Sequence, residues 1–366
     1  MKAAVLYEPK SRFVVEDVEV QEPKHGEVMV RMVAGGVCHS DLHVVKGDMV
    51  APLPAILGHE GAGIVERVGE GVTNVRKGDH VIPLWRLSCG QCEWCLGGRP
   101  ALCDAAAQIR STGCLLDGTS RFRKGSTEIK HFAGVSTFAS LSVMMEQAVV
   151  KIRNDIPLEK AALVGCGVIT GVGAVVNAAQ VRPGASVAVF GTGGVGLNVI
   201  QGAALVGAGK IIAVDLLDNK LECAREMGAT HEINASQTDP VANIKELTGG
   251  QGVDYAFEVI GLPETISQSV EVLRKRGVAV IVGVTRREAT IALETFPMVF
   301  QERTVMGSIY GSARPRVDVP ALIDLYMAGK LKLDPLLTRT YPLEQINEAY
   351  DALERGETAR SVVTFS

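Results

Sequence analysis

No stretch of this sequence is apolar for long enough to cross a membrane as a helix; candidates such as Val278 to Val284 are short and broken by glycine. A basic excess is missing too. The 37 lysines and arginines are outnumbered by 41 acidic residues, which leaves no electrostatic footprint for nucleic acid or an anionic lipid surface. There is no apolar leader: Met1-Lys2-Ala3-Ala4-Val5-Leu6 runs into Tyr7-Glu8-Pro9-Lys10 too soon for a signal peptide, so a cytoplasmic location is expected. Internal repeats and low-complexity tracts are also lacking. What is present is an ordinary globular composition, 47% hydrophobic and 21% charged, over 366 residues, a length that favours two domains with ample cores. Eight cysteines without a secretory signal read as metal ligands or buried thiols rather than as a disulfide framework.

The first 150 or so residues read as strand-rich and irregular. Glu27 to Val33 alternates imperfectly, with Val28, Val30 and Met32 on an apolar face and Glu27, Met29, Arg31 and Val33 on a wetter one. Gly58 to Gly71 also holds Gly61, Gly63 and Gly69, so its backbone bends tightly or approaches other groups closely. From Pro183 the character changes. Short apolar strands at Ser186 to Phe190, Ile211 to Val214, Tyr255 to Val259 and Val278 to Val282 alternate with helical patterns at Val195 to Leu205, Asn219 to Met227 and Glu264 to Leu273. Strands with both faces apolar, alternating with helices, predict a doubly wound α/β domain. The tail adds amphipathic helices at Pro320 to Ala328 and Leu343 to Arg355.

Gly191-Thr192-Gly193-Gly194-Val195-Gly196 follows a strand and opens a helix. Gly191 allows the turn, Gly193 admits a pyrophosphate to the backbone, and Gly196 brings helix and sheet together, with the phosphates at the positive helix end. Such a motif is weak alone, but both flanks fit dinucleotide binding. Asp215 closes the next strand, where a carboxylate accepts from ribose hydroxyls and repels a 2′-phosphate, so NAD is expected over NADP. Lys220 offers a further donor, or is simply a solvated helix lysine.

Cys89, Cys92, Cys95 and Cys103 crowd into one loop. Four thiolates leave no open coordination position and predict a structural zinc site. The leading spacing is shared with iron–sulfur proteins, but the fourth interval is longer and the Cys-Pro ending is missing. Cys38, His59 and Cys166 are scattered. Two thiolates and an imidazole would hold zinc with one position open, yet on spacing alone isolated cysteines such as these are more often buried core thiols.

Taken together, Cys38-His39-Ser40-Asp41, Gly58-His59-Glu60-Gly61-Ala62-Gly63, the four-cysteine loop, Gly165-Cys166-Gly167 and the glycine-rich turn stand in one order. The chain resembles the zinc-containing medium-chain alcohol dehydrogenases, closest to the animal liver-type branch, over nearly its whole length. That includes Phe257-Glu258-Val259-Ile260-Gly261 and Arg360-Ser361-Val362-Val363-Thr364-Phe365. The resemblance implies a strand-rich GroES-like catalytic domain at 1–167 and 310–366, with an NAD-binding Rossmann domain at 168–309 between.

It implies that Cys38, His59 and Cys166 hold a catalytic zinc, the second of two ions. Glu60 is then an auxiliary carboxylate and Asp41 supports the histidine. Ser40 takes the substrate proton and His43 ends the relay. His39, Thr170, Lys220 and Arg360 join the glycine-rich turn and Asp215 as cofactor contacts. A histidine at 39, where many relatives have arginine, should hold the cofactor less tightly and more pH-dependently. Met49, Trp85, Gln108, Phe132 and Ala133 match pocket positions.

The expected reaction is alcohol oxidation by NAD. The glutathione-dependent formaldehyde branch is the nearest alternative, but it carries an acid and an arginine where Met49 and Ala107 stand. A catalytically silent NAD-binding relative would lose a ligand or the relay hydroxyl; both are kept here. The apolar segments Val278 to Val284 and Val305 to Tyr310 match the family's subunit-joining edge, so a homodimer or homotetramer is expected, with no nucleic-acid or membrane partner.

Overall fold

Six short strands in the middle of the chain meet in one parallel sheet, whose central strands carry apolar residues on both faces and are covered on both, while the edge strands are more polar and partly exposed. Their order is His231–Asn234, Lys210–Asp215, Ser186–Phe190, Val253–Glu258, Leu273–Ile281 and Thr304–Gly307. Numbered along the chain this is a 3-2-1-4-5-6 winding, and the order reverses between Ser186–Phe190 and Val253–Glu258, where such sheets bind ligands. Val187, Ala188, Val189, Ile212 and Ala213 are wholly buried. The helix Gly194–Leu205 and the helix Asp218–Met227 each begin one residue before the expected start. Pro263–Glu271 is shorter than expected, since Leu273 already pairs with Val253 as the next strand.

The computed structural model describes residues 1–357 and 359–365. Two units divide the chain: Gly167–Ala313 with Lys330–Lys332 forms the nucleotide-type unit, and Met1–Cys166, Arg314–Gly329 and the chain from Leu333 form the other. The breaks fall at 166/167 and 313/314, against the 167/168 and 309/310 expected. Gly311 stays with the parallel-sheet unit because it seats on Gly173, where a Cβ would lie 2.6 Å from the Gly311 carbonyl oxygen. Lys332 stays there because its N–H donates to Gln201 Oε1 at 2.9 Å.

The unit built from both chain ends holds two β-sheets. In the larger, Glu27–Val37 runs centrally between Gly61–Val68 and the closing strand Arg360–Thr364, and also pairs with Leu141–Met145. Pairing Ser361 with Val37 brings the end of the chain beside Cys38. The wetter face expected for Glu27 to Val33 is not wet throughout: Arg31 is exposed, but Glu27 and Met29 are buried under Leu141–Met145.

Glu27 tolerates burial because Arg121, itself fully buried, forks onto it through Nε at 2.8 Å and through Nη2. The same guanidinium reaches Asp117 at 2.7 Å and Thr119, and the Ser120 carbonyl at 3.3 Å. Beside it, His131 is buried with its ring 4.4 Å from that of Phe122 and its Nε2 accepting from the Arg121 N–H at 3.2 Å. Burial, then the Arg121 charge, push the imidazole down to about 3. The unfolded chain therefore binds a proton near pH 6.5 that the folded chain refuses, and stability falls as pH drops through that window by up to about 1.4 kcal/mol per unit. His131→Gln should flatten the melting temperature between pH 7 and pH 5 relative to wild type; parallel curves would contradict this.

Among the described residues no single helix is long and apolar enough to cross a membrane.

Candidate functional site

In the unit built from both chain ends, three loop segments converge on one buried cluster. Cys38 ends the central strand in extended conformation and starts the helix His39–Lys46. Asp41, in the first turn of that helix and wholly buried, reaches back to the 58–59 loop: its Oδ1 accepts from the Gly58 N–H at 3.0 Å and its Oδ2 lies 3.0 Å from His59 Nδ1. Gly58 has φ +84°, and a Cβ there would lie 2.5 Å from Thr137 Oγ1, so only glycine lets this loop deliver His59. With Nδ1 held by Asp41, Nε2 is the nitrogen left for a ligand, and it stands 3.3 Å from Cys166 Sγ. Cys38, His59, Glu60 and Cys166 are all buried, with their candidate ligand atoms within 4.8 Å of one another.

Two thiols and the Asp41 and Glu60 carboxyls face one guanidinium, Arg360, whose Nη1 is 3.4 Å from Glu60 Oε2 and donates to the Val37 carbonyl at 3.3 Å. The contact with Cys166, helped by Arg360 and His59 against the pull of burial, holds the Cys38 thiol well below its ordinary value. The same contact and burial push Cys166 well up. Burial raises Glu60 to about 7 despite Arg360. Burial works against protonation of His59, but Asp41 and Cys38 outweigh it and raise the ring well above its usual value. Two thiols, an imidazole nitrogen and a carboxyl gathered within 4.8 Å of one another fit a divalent metal of the softer kind.

Ser40 Oγ lies 3.8 Å from Cys38 Sγ and is half-buried, while His43, further out on the same helix, has Nδ1 3.4 Å from Asp48 Oδ2. His39 is exposed. Of the expected pocket residues, Trp85 and Phe132 meet His59 edge-on, with ring centres at 6.0 Å and 5.9 Å. Met49 and Ala133 pack, half-buried, against the core cluster that includes Phe132. Gln108 is exposed on the helix Asp104–Thr112.

Two residues at this site escaped the sequence reading. Arg110 places Nη2 3.0 Å from Met49 Sδ. Tyr350, from the helix Ile346–Glu354, is buried beside Asp41, and burial together with that carboxylate raises its phenol well above the ordinary value. The Arg110 signal was its place one helical turn beyond Ala107; for Tyr350 no local signal exists.

The second sulfur cluster is the loop of Cys89, Cys92, Cys95 and Cys103, whose sulfurs also gather within 4.8 Å. Main-chain N–H groups point at them: Cys92 N–H to Cys89 Sγ and Cys89 N–H to Cys103 Sγ, each at 3.4 Å. The N–H groups of Asp104 and Cys95 lower Cys92 to about 6, while burial raises Cys103 to about 11. All eight cysteines are free thiols.

In the parallel-sheet unit, the glycine-rich turn sits at the switch point. A Cβ at Gly196 would collide with the Gly191 carbonyl, which enforces the tight strand-to-helix turn. Asp215 ends the neighbouring strand and accepts from Thr192; Lys220 and Thr170 lie in helices of the same unit.

Comparison with known proteins gives the family. Residues 24–154 match the alcohol dehydrogenase GroES-like domain, and residues 194–328 match the zinc-binding dehydrogenase domain. Over 100% of this chain and 98% of the other, the structure is similar to an alcohol dehydrogenase zinc-binding domain protein from Burkholderia ambifaria, at 38% identity and a TM-score of 0.96. The chain belongs to the zinc-dependent medium-chain alcohol dehydrogenases. This dehydrogenase is also similar to benzyl alcohol dehydrogenase from Acinetobacter calcoaceticus, at 36% identity, a TM-score of 0.95, and 100% and 99% coverage. A zinc-binding dehydrogenase from Sinorhizobium meliloti, bound to NADP, is similar at 26% identity with a TM-score of 0.83, covering 99% and 98%. The GroES-like and parallel-sheet architecture is that of the family, as the sequence motifs predicted.

Proposed function

We propose that this dehydrogenase, of the liver-type branch, interconverts alcohols with aldehydes or ketones using NAD, with arylmethyl and other primary or simple secondary alcohols as substrates. The observation that carries the reading is the buried convergence of Cys38, His59 and Cys166. These three residues would hold a zinc ion with one position open, and Glu60 stands by as an auxiliary carboxylate. When bound, the ion supplies Lewis-acid polarisation of the alcohol oxygen, and the nicotinamide supplies the hydride acceptor. Asp41 fixes the His59 ring and Tyr350 backs Asp41. Ser40 takes the alcohol proton, and His43, half-exposed, releases it outward. Arg360 balances Glu60 and, with His39, serves the pyrophosphate. Trp85 and Phe132 grip the substrate body edge-on to His59, a geometry suited to an aromatic ring. The four-cysteine loop would hold a second, structural zinc.

Asp215, at the strand end beside the glycine-rich turn, accepts the ribose hydroxyls and disfavours a 2′-phosphate, with Lys220 a further donor and Thr170 on the nicotinamide side. Asp215→Gly should lower the ratio of kcat/KM for NAD over NADP by at least tenfold, read from initial rates with both coenzymes. An unchanged ratio would refute NAD selection by this residue.

A second substrate class has one observation in its favour. Arg110 sets a cation on Met49, close to where the glutathione-dependent branch carries charge partners, so S-(hydroxymethyl)glutathione ranks behind simple alcohols as a substrate. NADH formation with benzyl alcohol or ethanol, against formaldehyde plus glutathione, decides between them, and silence with all three would overturn the enzymatic reading. The sheet edge Thr304–Gly307 and the exposed Phe296, Val299 and Phe300 support assembly as a homodimer or homotetramer.

A further inference from the structure

The glycines of the cofactor turn explain its shape, but its second residue is a threonine that is only 1% exposed. Both of its donors go to one atom. The Thr192 N–H reaches Asp215 Oδ2 at 2.8 Å and the Thr192 hydroxyl reaches the same oxygen at 2.9 Å. The other oxygen, Oδ1, accepts from the N–H of Leu216 at 2.8 Å and of Leu217 at 3.3 Å. A carboxylate offers about four lone-pair positions, so these donors anchor it through both oxygens before any nucleotide arrives, and the longest bond, from Leu217 at 3.3 Å, is the one a ribose hydroxyl displaces. Three of the four donors are main-chain groups that almost any residue supplies. The hydroxyl alone depends on which side chain follows Gly191.

We propose that Thr192 is a specificity-determining residue, which sets how strongly the protein prefers NAD by pinning the Asp215 carboxylate. The inference rests on the reading of Asp215 as the ribose acceptor. A pinned carboxylate meets a ribose 2′-hydroxyl as a preorganised acceptor, and it cannot swing away from a 2′-phosphate, so both the attraction and the repulsion are kept at full strength. Without the hydroxyl, Oδ2 keeps a single bond from the turn and the carboxylate gains freedom to rotate. NAD then loses a prepared acceptor, and NADP meets a charge able to turn aside.

The test is binding of NADH and NADPH to the full-length protein, followed by nicotinamide fluorescence, for wild type, Thr192→Val, Thr192→Ser and Asp215→Gly. Valine keeps the shape and the N–H and removes only the hydroxyl. Thr192→Val should reduce the ratio of the NADPH to the NADH dissociation constant about tenfold, the scale of one hydrogen bond to a charged group, in a protein that remains folded. Thr192→Ser should restore the ratio. If Thr192→Val weakens both coenzymes equally, the residue merely shapes the turn and the proposal fails. It fails equally if the ratio holds in Thr192→Val but collapses in Asp215→Gly. A ratio unmoved even by Asp215→Gly would instead remove the assignment of Asp215, and with it the ground of the proposal.

Discussion

Cys38→Ser is expected to give a folded protein that oxidises benzyl alcohol at least about a thousandfold more slowly than wild type. Lewis-acid polarisation of a substrate oxygen lowers a barrier by several kcal/mol, and each 1.4 kcal/mol or so is a factor of ten in rate. A serine hydroxyl at 38 offers a poor ligand in place of a thiol whose contact with Cys166 holds it well below its ordinary value. The fold should survive, because the local framework stands on other bonds. Asp41 still ties the helix His39–Lys46 to Gly58 at 3.0 Å, and Ser361 to Thr364 still pair with Ala34 to Val37. Initial rates together with a melting curve separate loss of chemistry from loss of structure. Turnover within tenfold of wild type would remove Cys38 from the metal site.

Arg121→Met should produce a large loss of stability at a position away from the sulfur clusters. Arg121 is wholly buried, and its removal leaves Glu27, itself 3% exposed, without its ion-pair partner and with the Lys24 N–H at 2.9 Å as its remaining donor. Breaking such a pair from one side costs roughly 3–5 kcal/mol. In a chain of this size that lowers the melting temperature by roughly 4–7 °C. Adding Glu27→Leu should recover most of the loss, since replacing both partners by apolar groups removes the stranded charge. A double variant as unstable as the single one would show that the guanidinium's bonds to Asp117 and Thr119 matter more than the pair with Glu27.

What could be read from the sequence was what lies close together in it. The glycine-rich turn from Gly191 to Gly196 and the loop from Cys89 to Cys103 are local, and each carries its own chemistry in its spacing. The central strands of the parallel sheet were legible for a related reason, since strands buried on both faces are continuous apolar runs; the edge strands His231–Asn234 and Thr304–Gly307, mostly half-buried or exposed, gave no such run. Cys38, His59 and Cys166 come from three separated segments, and only the resemblance of the whole motif order to a known family brought them together.

Glu27 was read onto a wetter face because alternation alone cannot see Arg121, which lies 94 residues away and makes its burial tolerable. Tyr350 stands more than three hundred residues from Asp41, and no pattern in a single sequence announces that approach. Arg110 marks the middle ground. Its helix was within reach of the reading, but its contact with Met49 depends on how that helix is laid against the preceding loop.

The account depends on a buried site formed by Cys38, His59 and Cys166 that retains a metal, distinct from the four-cysteine loop. Zinc counted per chain in the purified protein tests this most directly. Wild type should hold two ions, Cys38→Ser one, and Cys92→Ser one, each variant losing a different ion. A Cys38→Ser protein that still holds two, or a fully folded wild type that holds only the one lost in Cys92→Ser, would contradict it.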